Sequence, residues 1–499
     1  MRMARRIVLL PLILALVAVQ AASGPRRVAS GRPNIVFILT DDQDLLLRSM
    51  DFMPQTRELI AQRGMTFEQD FVPLSLCCPS RSTILTGLYP HNHKIYNNRA
   101  PGGGFAKFQD LGLEETTIAT ALHAAGYRTA LFGKYLNNYP RPGDETHIPP
   151  GWDEFATPAG GSPYTNRNYT LNENGTLVHY GSDPQDYLTD VIAGKATDFI
   201  HRSADAGQPF FLYLATYAPH KPATPAQRHA SLFPGLKAPR TPSFNEANVA
   251  DKPQKIRKLP RLSASDVDAI DSLYRRRAQS LQAVDEAVAA VVRILEMTGQ
   301  LDNTYIVFTS DNGFHMGQHR LKPGKYTPYE TDVHMPLFVR GPGIAPGSST
   351  SLFTSSVDFA PTIAELAGVE LPFPVDGRSF APILHGKTPA GWRQVILLEQ
   401  FEFSPDTEVP DSVLEPPDPQ DGTVVAYPSH LGVRMSGLKY VEYGTGEREV
   451  YDLVHDADER SNVAARMKPA WLAQMSSLAR ALGSCAGERC RELEASPPP

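Results

Sequence analysis

The 499-residue chain is short of several things, and each shortage narrows what it does. Cysteine is scarce: the four residues fall into two pairs, Cys77 with Cys78 and Cys485 with Cys490, which leaves no disulfide framework. Neither sign of charge dominates. The 48 Lys and Arg against 54 Asp and Glu give a formal −6, which argues against a nucleic-acid or anionic-membrane partner. A site for an anion must then be locally basic. Past residue 24 no apolar run is long enough to cross a bilayer, and no internal repeat is visible. What remains is an ordinary globular composition, 41% hydrophobic and 20% charged, long enough for one large domain with a smaller companion.

The basic start Met1-Arg2-Met3-Ala4-Arg5-Arg6, the short apolar run Ile7 to Val19 and the small residues Ala21-Ala22-Ser23-Gly24 read as a signal peptide over 1–23. The protein is therefore expected to be exported: extracellular, periplasmic or lysosomal according to its source, with no stable membrane span after cleavage. In such a chain Cys485 and Cys490, five apart in a polar tail, are expected to pair. Adjacent Cys77 and Cys78 are poor partners and look like chemistry.

Their context is Leu76-Cys77-Cys78-Pro79-Ser80-Arg81-Ser82-Thr83-Ile84-Leu85-Thr86-Gly87, a loop running into a helix that Gly87 closes. Cys77 then sits at a helix N-terminus near Arg81. Free N–H groups, the helix dipole and a guanidinium favour an anion there, and are expected to lower the thiol pKa.

Buried strands deliver other polar groups. Ile35 to Leu39 runs into Asp41-Asp42, and Tyr305 to Thr309 into Asp311-Asn312. Ligands gather at strand carboxyl ends in open α/β sheets, and oxygen-only side chains suit Ca2+, with Mg2+ second, rather than zinc. Arg128 to Phe132 leads to Gly133-Lys134-Tyr135-Leu136, and Phe210 to Thr216 to Ala218-Pro219-His220, a histidine placed for acid–base work. Helices are expected over 53–63, 117–125, 186–201, 265–297 (N-capped by Ser265), 358–368 and 469–482. Pro140 to Pro184, with sequons at Asn168 and Asn174, reads as an irregular surface excursion, and 402–430 as an acidic, proline-rich loop. Alternating strands and helices predict an α/β fold, a doubly wound, mainly parallel sheet with helices on both faces over 32–384. A small antiparallel-sheet α+β subdomain is expected over 385–499.

Cys77-Cys78-Pro79-Ser80-Arg81, three residues, then Leu85-Thr86-Gly87 matches every fixed position of the type I sulfatase signature, and the chain is identified as resembling that family. The order of Asp41-Asp42, Cys77 to Gly87, Lys134, His220 and Asp311-Asn312, with the Cys485 to Cys490 tail, is most similar to its N-acetylglucosamine-6-sulfatase branch. The resemblance implies an alkaline-phosphatase-like fold and hydrolysis of sulfate esters of sugars such as 6-sulfated N-acetylglucosamine. It implies that a formylglycine-generating enzyme oxidises Cys77 to Cα-formylglycine, the nucleophile. It implies one Ca2+ on Asp41, Asp42, Asp311, Asn312 and modified Cys77. Arg81, Lys134 and Lys325 (chosen over Lys322) are the implied sulfate ligands, His220 the leaving-group acid, and His315 a further residue facing the pocket. One departure stands out, since Leu136 occupies the family's usual histidine position. An arylsulfatase or a phosphonate or phosphate ester hydrolase on the same scaffold, and a non-catalytic binder of sulfated glycans with unmodified Cys77, remain as alternatives.

Overall fold

A computed structural model describes residues 31–401 and 428–496. The expected signal peptide and residues 402–427 of the acidic loop lie outside them. Strands β1 (Asn34–Thr40), β2 (Met65–Phe71), β3 (Arg128–Gly133), β4 (Glu154–Gly161), β5 (Tyr169–Glu173), β6 (Thr176–Tyr180), β7 (Phe210–Ala215), β8 (Thr304–Ser310), β9 (His334–Arg340), β10 (Ser348–Thr350) and β11 (Thr354–Ser355) form one sheet. Its order is β10-β2-β9-β8-β1-β7-β3-β4-β5-β6, with β11 also on β2. The central strands β8, β1, β7, β3 and β4 are mutually parallel, whereas β9 runs antiparallel to β8 and β2.

Both faces of β1 are covered, as its unbroken apolar run requires. Ile35, Phe37 and Leu39 join Ile84, Leu122 and Ile363 from helices Cys77–Thr86, Ile118–Ala124 and Phe359–Ala367. Val36 and Ile38 join Ile192, Phe199, Leu281, Val284 and Val288 from helices Leu188–Asp205 and Ala264–Met297. A second, antiparallel sheet of Val395–Gln400 (β12), His430–Met435 (β13), Leu438–Tyr443 (β14) and Arg448–Asp452 (β15) packs with helix Pro469–Leu482. The Cys485–Cys490 disulfide is formed.

Three local expectations change. Residues 140–184 are not an irregular excursion: β4 adds to the main sheet parallel to β3, β5 and β6 follow antiparallel at its edge, and Tyr164, Tyr169 and Leu171 are buried. Pro158, Gly160 and Gly161 break the alternation that would have marked β4 as a strand. The long helix is capped by Ser263, not Ser265; the Ser263 hydroxyl accepts the Asp266 N–H at 3.2 Å and Asp266 accepts the Ser263 N–H at 2.9 Å. The helix over 53–63 forms, but only Pro54–Thr56 is α and Arg57–Ala61 widens into a π turn.

Candidate active site

Parallel register decides where the site lies. Leu39 pairs with Ala215, Thr40 with Ser310, and Gly133 with Ala215, so β1, β8, β7 and β3 end in one row. The next residues along the chain are Asp41-Asp42, Asp311-Asn312, Thr216 to His220, and Lys134. Gly133 is needed for this: at φ +104 it lets Lys134 N–H reach Ala215 O (2.9 Å), and a Cβ would come within 1.8 Å of that oxygen.

Helix Cys77–Thr86 points its N-terminus at this row, and all ten of its residues are buried, polar ones included. Its hydroxyls are therefore satisfied locally: Ser80 Oγ donates to Asp311 O (2.5 Å), Ser82 Oγ to Cys78 O (2.8 Å) and Thr86 Oγ1 to Ser82 O (2.7 Å). A helix that buries this many polar groups is held for chemistry more than for packing.

The side chains meet in a cup. Arg81 Nε pairs with Asp311 Oδ2 (2.7 Å) and Arg81 Nη1 donates to Lys134 O (2.9 Å). Lys134 Nζ pairs with Asp41 Oδ2 (2.6 Å), and Lys325 Nζ donates to Asp42 Oδ1 and to Cys77 Sγ, each at 2.7 Å. Cys77 Sγ lies 3.4 Å from Asp41 Oδ1 and 3.8 Å from Asp42 Oδ1. Asn312 Nδ2 donates to Asp42 Oδ1 (2.6 Å), and Asp42 itself, at φ 63, donates its N–H to Asp311 Oδ1 (3.0 Å). His220 Nδ1–H donates to Lys221 O (2.6 Å), which leaves Nε2 facing Asp42 Oδ2 at 3.4 Å.

Ligand atoms of Asp41, Asp42, Cys77 and His220 all lie within 4.8 Å of one another. Asp42 Oδ2 and Asn312 Oδ1 are buried oxygens that accept no hydrogen bond among the described residues, which is the donor set a hard cation would complete. Of the expected ligands, Asp41, Asp42, Asn312 and Cys77 offer atoms to such an ion, whereas both Asp311 oxygens are taken, by Arg81 and by the Asp42 N–H.

Charge in the cup is tightly matched. Burial would raise the Asp311 carboxyl, but Arg81 and Lys134 hold it below the usual carboxylate range. Burial would likewise lower Lys134, but Asp41, with Cys77 and Tyr164, outweighs it and raises the ammonium well above its ordinary value. The expectation for Cys77 is corrected: burial pushes the thiol well up, and Lys134 and Lys325 only partly oppose it. The unmodified side chain is thus a poor nucleophile.

One expected residue, His315, and the departure at Leu136 are placed by other contacts. His315 is not hydrogen-bonded into the cup; its ring is held by Asp332 Oδ2 at 2.9 Å. Leu136, at the family's histidine position, is packed in the main core. Residues not anticipated from sequence include Tyr164, whose ring packs 4.7 Å from His220 and 5.2 Å from Lys134 Nζ. Arg277 is another, donating to Asp42 O (2.6 Å) and pairing with Asp44 Oδ1 (3.0 Å). Arg277 did leave a signal, as a charge on the apolar stripe Leu273, Tyr274, Leu281 of the long helix; Tyr164 left none.

Behind the loop carrying Lys325, buried His319 donates from Nδ1 to Glu246 Oε2 (2.8 Å) and packs 4.2 Å from the Tyr329 ring. Burial raises the Glu246 carboxyl to about 7 and pushes His319 well below its ordinary range. Between pH 4.5 and 7 the folded chain keeps a proton on Glu246 that the unfolded chain has lost, so this group's contribution to stability falls as pH rises through that window. Glu246→Gln is expected to flatten the pH dependence of the urea-derived unfolding free energy there by on the order of 1 kcal/mol. Parallel wild-type and variant curves would refute it.

Comparison with known proteins now bears on this geometry. Residues 33–369 match the Sulfatase family model. Human N-acetylglucosamine-6-sulfatase is 39% identical over 489 residues, covering 93% of this chain and 87% of that protein. A solved structure described as in complex with its substrate, D-glucosamine-2-N,6-O-disulfate, superposes with a TM-score of 0.73 at 25% identity, covering 90% of this chain and 97% of that one. A phosphonate monoester hydrolase from Silicibacter pomeroyi superposes with a TM-score of 0.66 at 24% identity over 90% and 94% of the two chains, a likeness of fold alone.

Proposed function

Since the chain belongs to the sulfatase family and is a sulfuric ester hydrolase of sulfated sugars, we propose that its substrate is a 6-sulfated N-acetylglucosamine residue, cleaved through Cys77 in its formylglycine form. One observation carries this reading: Cys77, Arg81, Lys134, His220 and Lys325 converge with Asp41, Asp42, Asp311 and Asn312 at four strand ends. Catalysis belongs to residues 32–384, and 385–499 support them.

Arg81, Lys134 and Lys325 bring three positive charges to three carboxylates, Asp41, Asp42 and Asp311, so the side chains alone are neutral apart from His220. A Ca2+ held by Asp41, Asp42, Asp311, Asn312 and residue 77 would make the cup electropositive and polarise a sulfuryl oxygen. Residue 77, as the aldehyde hydrate, supplies one hydroxyl to attack sulfur and a second whose deprotonation expels sulfate. Lys134 and Lys325 orient the sulfuryl oxygens and neutralise charge growing on them, while Arg81 fixes Asp311 and the Lys134 backbone. His220 delivers its Nε2 proton to the sugar oxygen as the S–O bond breaks, held in place by Lys221 O and the Tyr164 ring. Full burial of Cys77 supports modification by a formylglycine-generating enzyme before the chain folds, during export.

Sulfate release from N-acetylglucosamine-6-sulfate tests the assignment. The expected kcat/KM is at least about tenfold above that for the same sugar sulfated elsewhere, is lost with a chelator, and returns with Ca2+ better than with Mg2+. Faster cleavage of a matched phosphonate ester would overturn it.

A further inference from the structure

A surface beside the loop that carries Lys325 is basic in a chain that is acidic overall. Short helix Gln254–Arg257 and the turn after it expose Lys255, Arg257, Lys258 and Arg261. Arg257 reaches Glu447 Oε1 at 3.6 Å. The side chains of Lys255, Lys258 and Arg261 make no hydrogen bond or ion pair among the described residues. Asp251 and Glu447 are engaged elsewhere: Asp251 accepts the Asn462 N–H (2.7 Å), and Glu447 accepts the Gln254 N–H (2.8 Å) besides facing Arg257. Lys255 and Lys258, three apart, share one face, so their like charges repel.

This segment is fastened to the loop that carries Lys325. Buried Ile256 packs in one apolar cluster with Leu321 and Tyr329, on either side of Lys325. Arg320 donates to Glu246 O (2.8 Å), Ala247 O (2.8 Å) and Leu259 O (2.9 Å), tying the chain before and after helix Gln254–Arg257 to the same loop. Unpaired cations on a rigid support are what a linear polyanion recognises, and they bind it by releasing its condensed counterions.

We propose that Lys255, Lys258 and Arg261 form a secondary binding site for a sulfated polysaccharide, gripping the chain beyond the sugar whose sulfate occupies the cup. This rests on the sulfated-glycan reading above, and its test is separable from it. The Lys255→Ala/Lys258→Ala/Arg261→Ala protein is compared with wild type on N-acetylglucosamine-6-sulfate and on heparin-derived oligosaccharides across a NaCl series. Expected are an unchanged kcat/KM on the monosaccharide, a roughly tenfold loss on the oligosaccharide at low salt, and a shallower salt dependence. Equal losses on both substrates, or none on either, would overturn the proposal.

Binding of immobilised heparin by the Cys77→Ala protein, with and without the three alanines, needs no turnover. A weakened, less salt-sensitive interaction in the triple background supports the secondary site even if the sugar assignment fails, and identical binding refutes it. Stronger wild-type retention on phosphatidylserine vesicles than on heparin, abolished by the triple change, would also overturn the glycan assignment in favour of a membrane surface.

Discussion

Cys77→Ala is expected to lower sulfate release by on the order of 10,000-fold or more, the scale of losing a covalent nucleophile. The fold should survive, because alanine suits a helix start and Lys325 keeps its 2.7 Å contact with Asp42 Oδ1. An unchanged circular dichroism spectrum beside lost turnover, with a wild-type peptide bearing an aldehyde at position 77, is the expected result. Serine is not an equivalent replacement: with a single oxygen on its Cβ it forms a sulfate ester that has no second hydroxyl to expel the product. Residual turnover in Cys77→Ala would remove the nucleophile assignment. A wild-type peptide still carrying the thiol, in a protein that binds sulfated glycans without cleaving them, would instead favour the non-catalytic reading.

Much of this was legible along the chain, for physical reasons. A strand buried on both faces writes a continuous apolar run, so the ends at Asp41, Asp311, Lys134 and His220 could be located before their register was known. One helix end was legible at Gly87, which adopts the left-handed conformation expected of it. What failed depended on long-range packing. Tyr164 reaches His220 only because β4 and β5, whose pattern is interrupted by Pro158 and Gly160, add to the sheet edge. The Cys77 thiol is raised because the cup is fully buried, and no local motif reports burial. His315 and Lys325 lie ten residues apart in one polar loop, yet their partners, Asp332 and Asp42, come from different parts of the chain.

The same loop shows why the second sheet matters to the site, and Lys439→Met should expose it. Lys439, fully buried on β14, pairs with Glu330 Oε1 (2.8 Å) and Glu459 Oε1 (2.6 Å) and donates to Pro328 O (2.7 Å). Tyr329, between those loop residues, donates its hydroxyl to Glu449 Oε1 (2.9 Å) on β15. Residues 328–330, three to five beyond Lys325, are thus clamped to the small sheet. Burial pushes the Glu459 carboxyl up to about 7, whereas Lys439 and Arg434 hold Glu330 down against burial. Removing the Lys439 ammonium leaves Glu330 with Arg434 at 3.2 Å and the His334 ring at 3.7 Å, and breaking a buried ion pair by deleting one partner costs about 3–5 kcal/mol. A fall of that size in the urea-derived unfolding free energy at constant m is expected. KM for the sulfated sugar should rise severalfold more than kcat falls, because the loosened loop no longer holds Lys325 over Asp42 and residue 77. Adding Glu459→Gln should recover part of the stability, since one fewer acid is then buried without its cation. A stability loss with KM untouched would mean that the small sheet supports the fold and not the sulfate-binding lysine.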